Sequence, residues 1–250
     1  MKCLQIHLRK TSPIQIKPSL PLPYLEMKDL KAIRGKFYLA RIIEEGEHEH
    51  QDFKFAISDA RKIARSLSAF ANNGGGRLLV GVKDNGVIAG VRNEEDIYVI
   101  EQAAEMYCRP SQQLRFTAIT AEEGLIVIRA EIDASPHRPV QALDTDGQWK
   151  AYYRVADENI LASPIMVKAW RQAESDHPAS FNIGSAENAV LQAIQSATEP
   201  INIDDIIHQH KISKATAENI IINLYAMKVI DFTFHKRQFM ITSRNPEIDT

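Results

Sequence analysis

The sequence predicts a mixed α+β (α/β) protein, in which a mixed sheet flanked by helices is followed by a small second domain. Three observations predict this fold class. In the first two-thirds of the chain, segments with the two-residue period of strands alternate with segments of helical spacing. Six of the 11 glycines fall between positions 74 and 90, which indicates a cluster of tight turns. After residue 184, three helical patterns precede a hairpin pattern.

Composition limits the classes of function. The 250 residues suffice for one large domain or two small ones, with 44% hydrophobic and 25% charged residues. A formal net charge of −2 argues against a general polyanion binder, so a nucleic-acid surface would be a local basic patch. Cys3 and Cys108 are too few for a disulfide framework. With a short polar N-terminus and no apolar run of about 18 residues, the sequence predicts a cytoplasmic protein without a membrane partner.

Changes in composition divide the chain into four parts. Residues 1–43 are predicted as a basic N-terminal extension broken by prolines, 44–173 as the main domain, 174–184 as a polar linker and 185–250 as the second domain. The extension is either a solvated arm packed on the main domain or an arm that contacts phosphates.

The elements of the main domain follow from local patterns. Strands are predicted where apolar residues alternate or β-formers cluster: 37–43, 52–55, 77–82, 87–89, 114–119, 125–132 and 152–155. Helices are predicted from apolar spacings of three and four: 58–70 with Ser58 as N-cap, 94–107, and 163–170 opened by Ser163. Asp84-Asn85-Gly86 predicts a hairpin turn. The strands are expected in one mixed sheet.

The glycine-rich stretch carries a resemblance to a known family. The run A-F-A-N-N-G-G-G at 69–76, then a strand, G-V-K-D at 81–84 and a turn ending at Gly90, resembles the signature of the Schlafen AlbA-type domain. Q-D-F-K at 51–54 resembles the E-F-K element of that family. Further matching elements are Arg109-Pro110, S-P-H-R-P at 135–139 and Y-Y-R-V at 152–155. The resemblance covers roughly residues 44 to 170 and implies a nucleic-acid-binding domain.

By this resemblance, family members that cut RNA use three acids, which correspond here to Glu47, Asp52 and Asp84. Three convergent carboxylates could bind Mg²⁺ or Mn²⁺ and activate water against a phosphodiester. Asp52 is one methylene shorter than the family's Glu. The alternative is that Asp52 is an ordinary strand residue and Asp84 a turn former. His48 and His50 could chelate a metal, although a solvated loop is the favoured interpretation.

The glycine loop is a second candidate site. Backbone N–H groups around Asn72, Gly74, Gly75 and Gly76 could cradle the phosphate of a nucleotide such as ATP. The loop lacks the P-loop motif and precedes a strand, so a tight connection that needs glycine for steric reasons is equally favoured. Three arginines suit bidentate phosphate contacts, or could form ion pairs within the fold: Arg109, Arg138 and Arg154.

The tail resembles a winged helix-turn-helix domain over roughly residues 185 to 244. I-S-K-A-T at 212–216, followed by apolar residues at 220, 221 and 224, resembles the start of a recognition helix capped by Ser213. Strands at 229–234 and 239–242 would form the wing. Candidate DNA contacts are Lys211, Lys214, Thr216 and Asn219 on the helix and Lys236 and Arg237 on the wing. Such a unit can instead serve dimerisation or protein docking.

The favoured function is a cytoplasmic nucleic-acid-binding protein, specifically a DNA-binding transcriptional regulator that could act as a homodimer. The sequence assigns it no certain cofactor, with Mg²⁺ or Mn²⁺, or a nucleotide, as the candidates, and an enzymatic role is not favoured. Two alternatives stay open: a metal-dependent endoribonuclease acting on RNA through Glu47, Asp52 and Asp84, and a regulator that senses a nucleotide at the glycine loop.

Overall fold

The computed structural model describes residues 30, 32–92, 94–176 and 184–244, and it confirms a mixed α+β fold. The helices are α1 (Lys36–Glu44), α2 (Ala60–Asn72), α3 (Glu95–Met106), α4 (Pro164–Ala173), α5 (Ser185–Ser196), α6 (Ile203–His210) and α7 (Lys214–Ala226). The strands are β1 (Ile33–Arg34), β2 (Gln51–Lys54), β3 (Gly75–Val80), β4 (Cys108–Arg109), β5 (Arg115–Thr120), β6 (Ile126–Asp133), β7 (Gln141–Leu143), β8 (Trp149–Val155), β9 (Glu158–Leu161), β10 (Ile230–His235) and β11 (Gln238–Ser243). No helix in these ranges is long and apolar enough to cross a membrane.

The predicted division into extension, main domain, linker and second domain stays a prediction. Most of the extension and residues 177–183 of the linker lie outside the described residues.

The first sheet has five strands in the order β1-β5-β6-β3-β2. β2 and β3 are parallel, whereas β6 runs antiparallel to both β3 and β5. Successive residues of β3 point to opposite faces, so Leu78 and Val80 pack in the core with α2 and α3 while Leu79 packs in a core with α1. Helices therefore cover both faces of this sheet, as the predicted fold class requires.

A second sheet, in the order β4-β7-β8-β9, packs against α2. The expectation that all strands join one sheet is wrong, because 152–155 belongs to this antiparallel sheet. Its strands β4 and β7 contain two and three residues, too few to give a periodic pattern in the sequence.

The segment 37–43, predicted as a strand, is helix α1. Leu39 and Ile42 are buried against the first sheet with the three-residue spacing of one helix face, so burial overrides the β-propensity of the aromatic and β-branched residues. Residues 87–89 likewise form a single bridge, Val82 to Ile88, rather than a strand, although the turn at 84–86 is present.

Helix caps explain where the helices begin. Asp59, not Ser58, caps α2, because the Asp59 carboxylate accepts a hydrogen bond from the Arg61 backbone N–H at 2.9 Å. Ser163 and Ser213 accept from N–H groups in the first turns of α4 and α7, as the sequence predicts.

The side chain of Asn72 joins α2 to the second sheet. It is 1% exposed, and its amide donates to the carbonyl oxygens of Val140 and Tyr152, both at 2.8 Å. Its Oδ1 accepts from the Val140 backbone N–H at 2.8 Å. One side chain thus satisfies the Val140 N–H before β7 and the Tyr152 carbonyl on β8, and it shares the Val140 carbonyl with the Ser68 hydroxyl.

The last part of the chain forms its own core and packs on the rest. Helices α5, α6 and α7 and the β10–β11 hairpin enclose residues such as Val190, Ile206 and Leu224. Ile201, between α5 and α6, pairs with Ile241 of β11. An aromatic cluster attaches this unit to α4 and β8: Tyr153, Trp170, Tyr225, Phe232 and Phe239.

We expect Asn72→Ala to lower the free energy of unfolding by at least about 2 kcal/mol, because the buried Val140 N–H and Tyr152 carbonyl lose the Asn72 side chain as their partner. Urea unfolding followed by circular dichroism measures this change. Asn73→Ala is the matched control, since Asn73 makes one comparable bond, to the Arg154 carbonyl oxygen at 2.9 Å. Equal stability of the two variants would contradict the role given to Asn72.

Candidate functional site

Asp52 and Arg154 form a buried ion pair between the two sheets. The Asp52 side chain is 5% exposed, and its Oδ1 accepts a hydrogen bond from Arg154 Nη2 at 3.1 Å. Arg154 is 1% exposed, donates to Asn159 Oδ1 at 3.0 Å and lies over the Phe70 ring. Lys54 Nζ is 2.6 Å from Asp52 Oδ2. Arg154 therefore matches the fold-internal ion pair rather than the phosphate contact, and two cations compensate Asp52.

Glu47 lies beside Asp52. Its Oε1 accepts a hydrogen bond from the Phe53 backbone N–H at 2.8 Å, which anchors the loop before β2. Burial, and next the hydrogen bond with Asp52, raises the pKa of the Glu47 carboxyl. The fold thus brings two of the three predicted acids together.

Asp84 does not complete a metal-binding group with this pair. It lies exposed on the turn that follows β3. Across the described ranges, no group of three His, Cys, Asp or Glu side chains is placed to hold a metal ion. Because Asp52 is already engaged by Lys54 and Arg154, the residues present do not fit the Mg²⁺ or Mn²⁺ site implied by the family resemblance.

A polar cavity of about 290 Å³ opens next to Asp52. Acidic, basic and neutral polar groups line it: Asp52, Lys54, Lys62, Arg65, Ser66, Tyr152, Arg154, Asp157 and Asn159. Asp144 holds two of these lining residues in place, because Arg65 and Tyr152 both donate to its carboxylate, as Lys150 also does. These hydrogen bonds, that of Lys150 above all, hold the pKa of Asp144 well below its usual range.

Two cations of this cavity, Lys62 and Arg65, are absent from the site residues predicted from sequence. Their three-residue spacing on one face of α2 was a signal that could have found them.

The glycine loop is shaped by packing. Gly75 has a φ of +90°, and a Cβ there would lie 2.8 Å from the Ile132 carbonyl oxygen. A Cβ at Gly76 would lie 2.4 Å from the Phe70 ring. Since the Asn72 amide is also committed to the interior, these contacts favour the tight connection over the phosphate cradle.

A further cavity of about 290 Å³ beside Gly74, Gly75 and Gly76 has no uncompensated arginine. Arg77 Nη2 lies 2.5 Å from Glu45 Oε2, and Arg115 Nη2 lies 2.9 Å from Asp133 Oδ1. This cavity therefore offers little net positive charge to a nucleotide phosphate.

The two histidines of the loop before β2 support its conformation. The His50 backbone N–H donates to His48 Nδ1 at 3.1 Å, and His50 Nδ1 is 2.8 Å from the Gly75 carbonyl oxygen. Burial, and next the charge of Arg77, lowers the pKa of His48. These contacts hold the loop before β2 against the start of β3.

The other two predicted arginines lie on aromatic rings in separate places. The exposed Arg109 stacks over Trp149 with its guanidinium carbon 4.4 Å from the ring centroid. Arg138 lies over Trp170 at 5.7 Å and donates to the Asn72 carbonyl oxygen at 3.4 Å. The fold therefore does not gather the predicted phosphate-binding arginines into one site.

The predicted contacts of the tail lie at its surface. Lys211, Lys214 and Asn219 are exposed around α7, and Lys236 and Arg237 are exposed at the β10–β11 turn. Thr216 is half-buried, and its backbone N–H and hydroxyl are both hydrogen-bonded to the Ser213 hydroxyl. Lys236 Nζ lies 3.6 Å from Glu199 Oε2.

Comparison with known proteins gives a family match for one part of the chain. The family model described as "Schlafen, AlbA_2" matches residues 47–163, which supports a Schlafen AlbA domain there. Among solved structures, the chain is similar to the DIP2311 protein from Corynebacterium diphtheriae, with 18% identity and a TM-score of 0.41. That similarity covers 77% of this chain and 34% of the other, so this chain spans about a third of that protein's length. No curated protein matches the chain.

We expect Asp52→Asn to lower the free energy of unfolding by about 3–5 kcal/mol, because it leaves the Arg154 guanidinium buried without its counter-charge. Arg154→Met should also destabilise the protein. The double variant should cost clearly less than the sum of the two single variants, since it removes both charges. Urea unfolding of the four proteins measures the coupling, and additive effects would show that the pair is not a structural unit.

The raised pKa of Glu47 gives a pH dependence of stability. The folded state holds this proton more tightly than the unfolded chain, so this group makes the free energy of unfolding fall as pH rises above about 4.5. Glu47→Gln keeps an oxygen that can accept from the Phe53 N–H and should flatten that fall. Urea titrations at successive pH values measure it, and parallel profiles for the two proteins would contradict the assignment.

Proposed function

We propose that this protein binds nucleic acid and acts as a DNA-binding transcriptional regulator, with residues 185–250 serving as a winged helix-turn-helix domain. The Schlafen AlbA match over residues 47–163 supports a nucleic-acid-related function for the main domain. The tail supplies the groups suited to duplex DNA. Homodimerisation is part of the prediction from sequence.

The order of elements supports the assignment of the tail. Helix α5, the paired residue Ile201, helices α6 and α7 and the β10–β11 hairpin follow one another as in a winged helix. A three-residue turn, 211–213, joins α6 to α7, and Lys211 there adopts a left-handed φ of 53°. Such a short turn is typical of the helix-turn-helix motif.

The observation that carries the proposal is which side chains of α7 are buried in the core and which are exposed. Ala217, Ile220 and Leu224 face the core, whereas Lys214 and Asn219 are exposed. Glu218, the acid that would oppose DNA on this helix, is paired with Lys168 of α4 at 2.7 Å. The charge that α7 shows to solvent near its start is therefore positive.

This arrangement matches the chemistry of the major groove. An Asn side chain can pair with the N6 and N7 edge of adenine, and Lys214 near the start of the helix suits a phosphate contact. At the hairpin turn, Lys236 and Arg237 are both exposed, with φ of 50° and 63°. Together, α7 and the hairpin turn would contact base edges in the major groove and the DNA backbone beside it.

The test starts from the full chain and a duplex selected from a random-sequence pool. Fluorescence anisotropy then compares wild type with Asn219→Ala and Lys214→Ala. We expect Asn219→Ala to weaken binding to the selected duplex about tenfold and to relax its sequence preference, as loss of a bidentate base contact does. Lys214→Ala should weaken all sequences and lower the slope of log K against log salt by about 1.

Matched controls separate contact from folding. Gln195→Ala removes an exposed amide from α5, and Arg171→Ala removes an exposed cation from α4. Both should leave duplex binding unchanged. Duplex affinity that survives both α7 variants would contradict the proposal, and Mg²⁺- or Mn²⁺-dependent RNA cleavage abolished by Asp84→Asn would replace it with the endoribonuclease.

A further inference from the structure

An exposed phenylalanine with two cations over its ring lies at the surface of the main domain, and none of these three residues is among the site residues predicted above. Phe55 is 40% exposed, whereas most large apolar side chains of this domain are buried. Lys83 Nζ lies 5.4 Å from the centroid of its ring, and the Arg92 guanidinium carbon lies 5.6 Å from it. Both cations are themselves exposed.

Three separate segments bring this cluster together. Phe55 follows β2 and Lys83 follows β3, so both lie beyond the carboxyl ends of two parallel strands. Arg92 comes just before α3. The Ile57 backbone N–H donates to Asp96 Oδ1 at 2.9 Å, which ties the loop after Phe55 to α3. The ring is thus held in place rather than presented on a free loop.

We propose that Phe55, Lys83 and Arg92 form a stacking platform for single-stranded nucleic acid. Because both cations lie over the ring, an unpaired base would take the place of one of them on the exposed part of Phe55, and Lys83 and Arg92 would then contact the flanking phosphates. Exposed aromatic rings between cations bind single strands without reading sequence, because every base has a π-face and every nucleotide a phosphate. In a duplex the base faces are covered by their neighbours, so this platform favours unpaired strands.

The platform is independent of the proposed contact between α7 and duplex DNA. It uses no residue of the tail, and its partner is a different form of nucleic acid. The acidic Asp84 follows Lys83 on the same exposed turn, so it would oppose a phosphate there. Asp84→Asn should consequently tighten single-strand binding, whereas a metal ligand would make the same change weaken it.

The experiment measures anisotropy of fluorescein-labelled single strands of about 12 nucleotides, thymidylate DNA and uridylate RNA in separate arms, with EDTA present. Phe55→Leu keeps an apolar side chain of similar reach but removes the π-face. We expect it to weaken binding about tenfold, the effect of losing one base stack. Lys83→Met and Arg92→Met should each lower the salt slope by about 0.7.

Two further readouts make the test specific. Phe37→Leu on α1 is the matched control, because Phe37 is 86% exposed on another element. A strand containing 2-aminopurine should lose fluorescence on binding wild type but much less on binding Phe55→Leu, since stacking quenches this base.

The outcomes are distinct. Loss of affinity and of quenching in Phe55→Leu, with Phe37→Leu unchanged, supports the platform, and the DNA and RNA arms identify the preferred strand. No single-strand binding by wild type, or equal binding by both phenylalanine variants, overturns it. Lys214→Ala should retain single-strand binding, so failure of the α7 proposal and failure of this one are distinguishable.

Discussion

The hydrogen bonds of the Asn72 side chain are the constraint on which the rest of the structure depends. They fix the second sheet against α2, and with it strand β8. Two side chains of β8 then connect the second sheet to the first sheet and to the tail. Arg154 enters the first sheet to pair with Asp52, and Tyr153 packs on Trp170 and Phe239, where the tail attaches. Asn72, a residue of the A-F-A-N motif, therefore has a structural role inside the fold.

The ion pair between Asp52 and Arg154 also bears on where the chain could bind a ligand. The carboxylate of Asp52 is compensated by Arg154 and Lys54, and burial beside it raises the pKa of Glu47. Such a pair is suited to holding two sheets together and poorly suited to gathering divalent cations. The groups that we propose to contact nucleic acid lie instead on outer surfaces, at the start of α7 and at the ring of Phe55.

Local chemistry was predictable from sequence where a few adjacent residues decide the conformation. The helix–glycine–strand connection around 69–80, the turn at 84–86 and the Ser163 and Ser213 caps all have local signals. Partners distant along the chain carry no such signal, which is why Arg154 was equally compatible with a phosphate or an ion pair. Tertiary burial likewise turned 37–43 into a helix, and the Phe55 cluster draws on three segments.

Hydrogen–deuterium exchange of the full chain, with and without a selected duplex, tests most directly the claim that nucleic acid meets outer surfaces and not the acidic pair. The account predicts slower exchange in the first turns of α7 and at the turn 236–237, with unchanged exchange in β2. Protection concentrated in β2 and the 84–86 turn, with none in α7, would contradict it and return the site to the carboxylates.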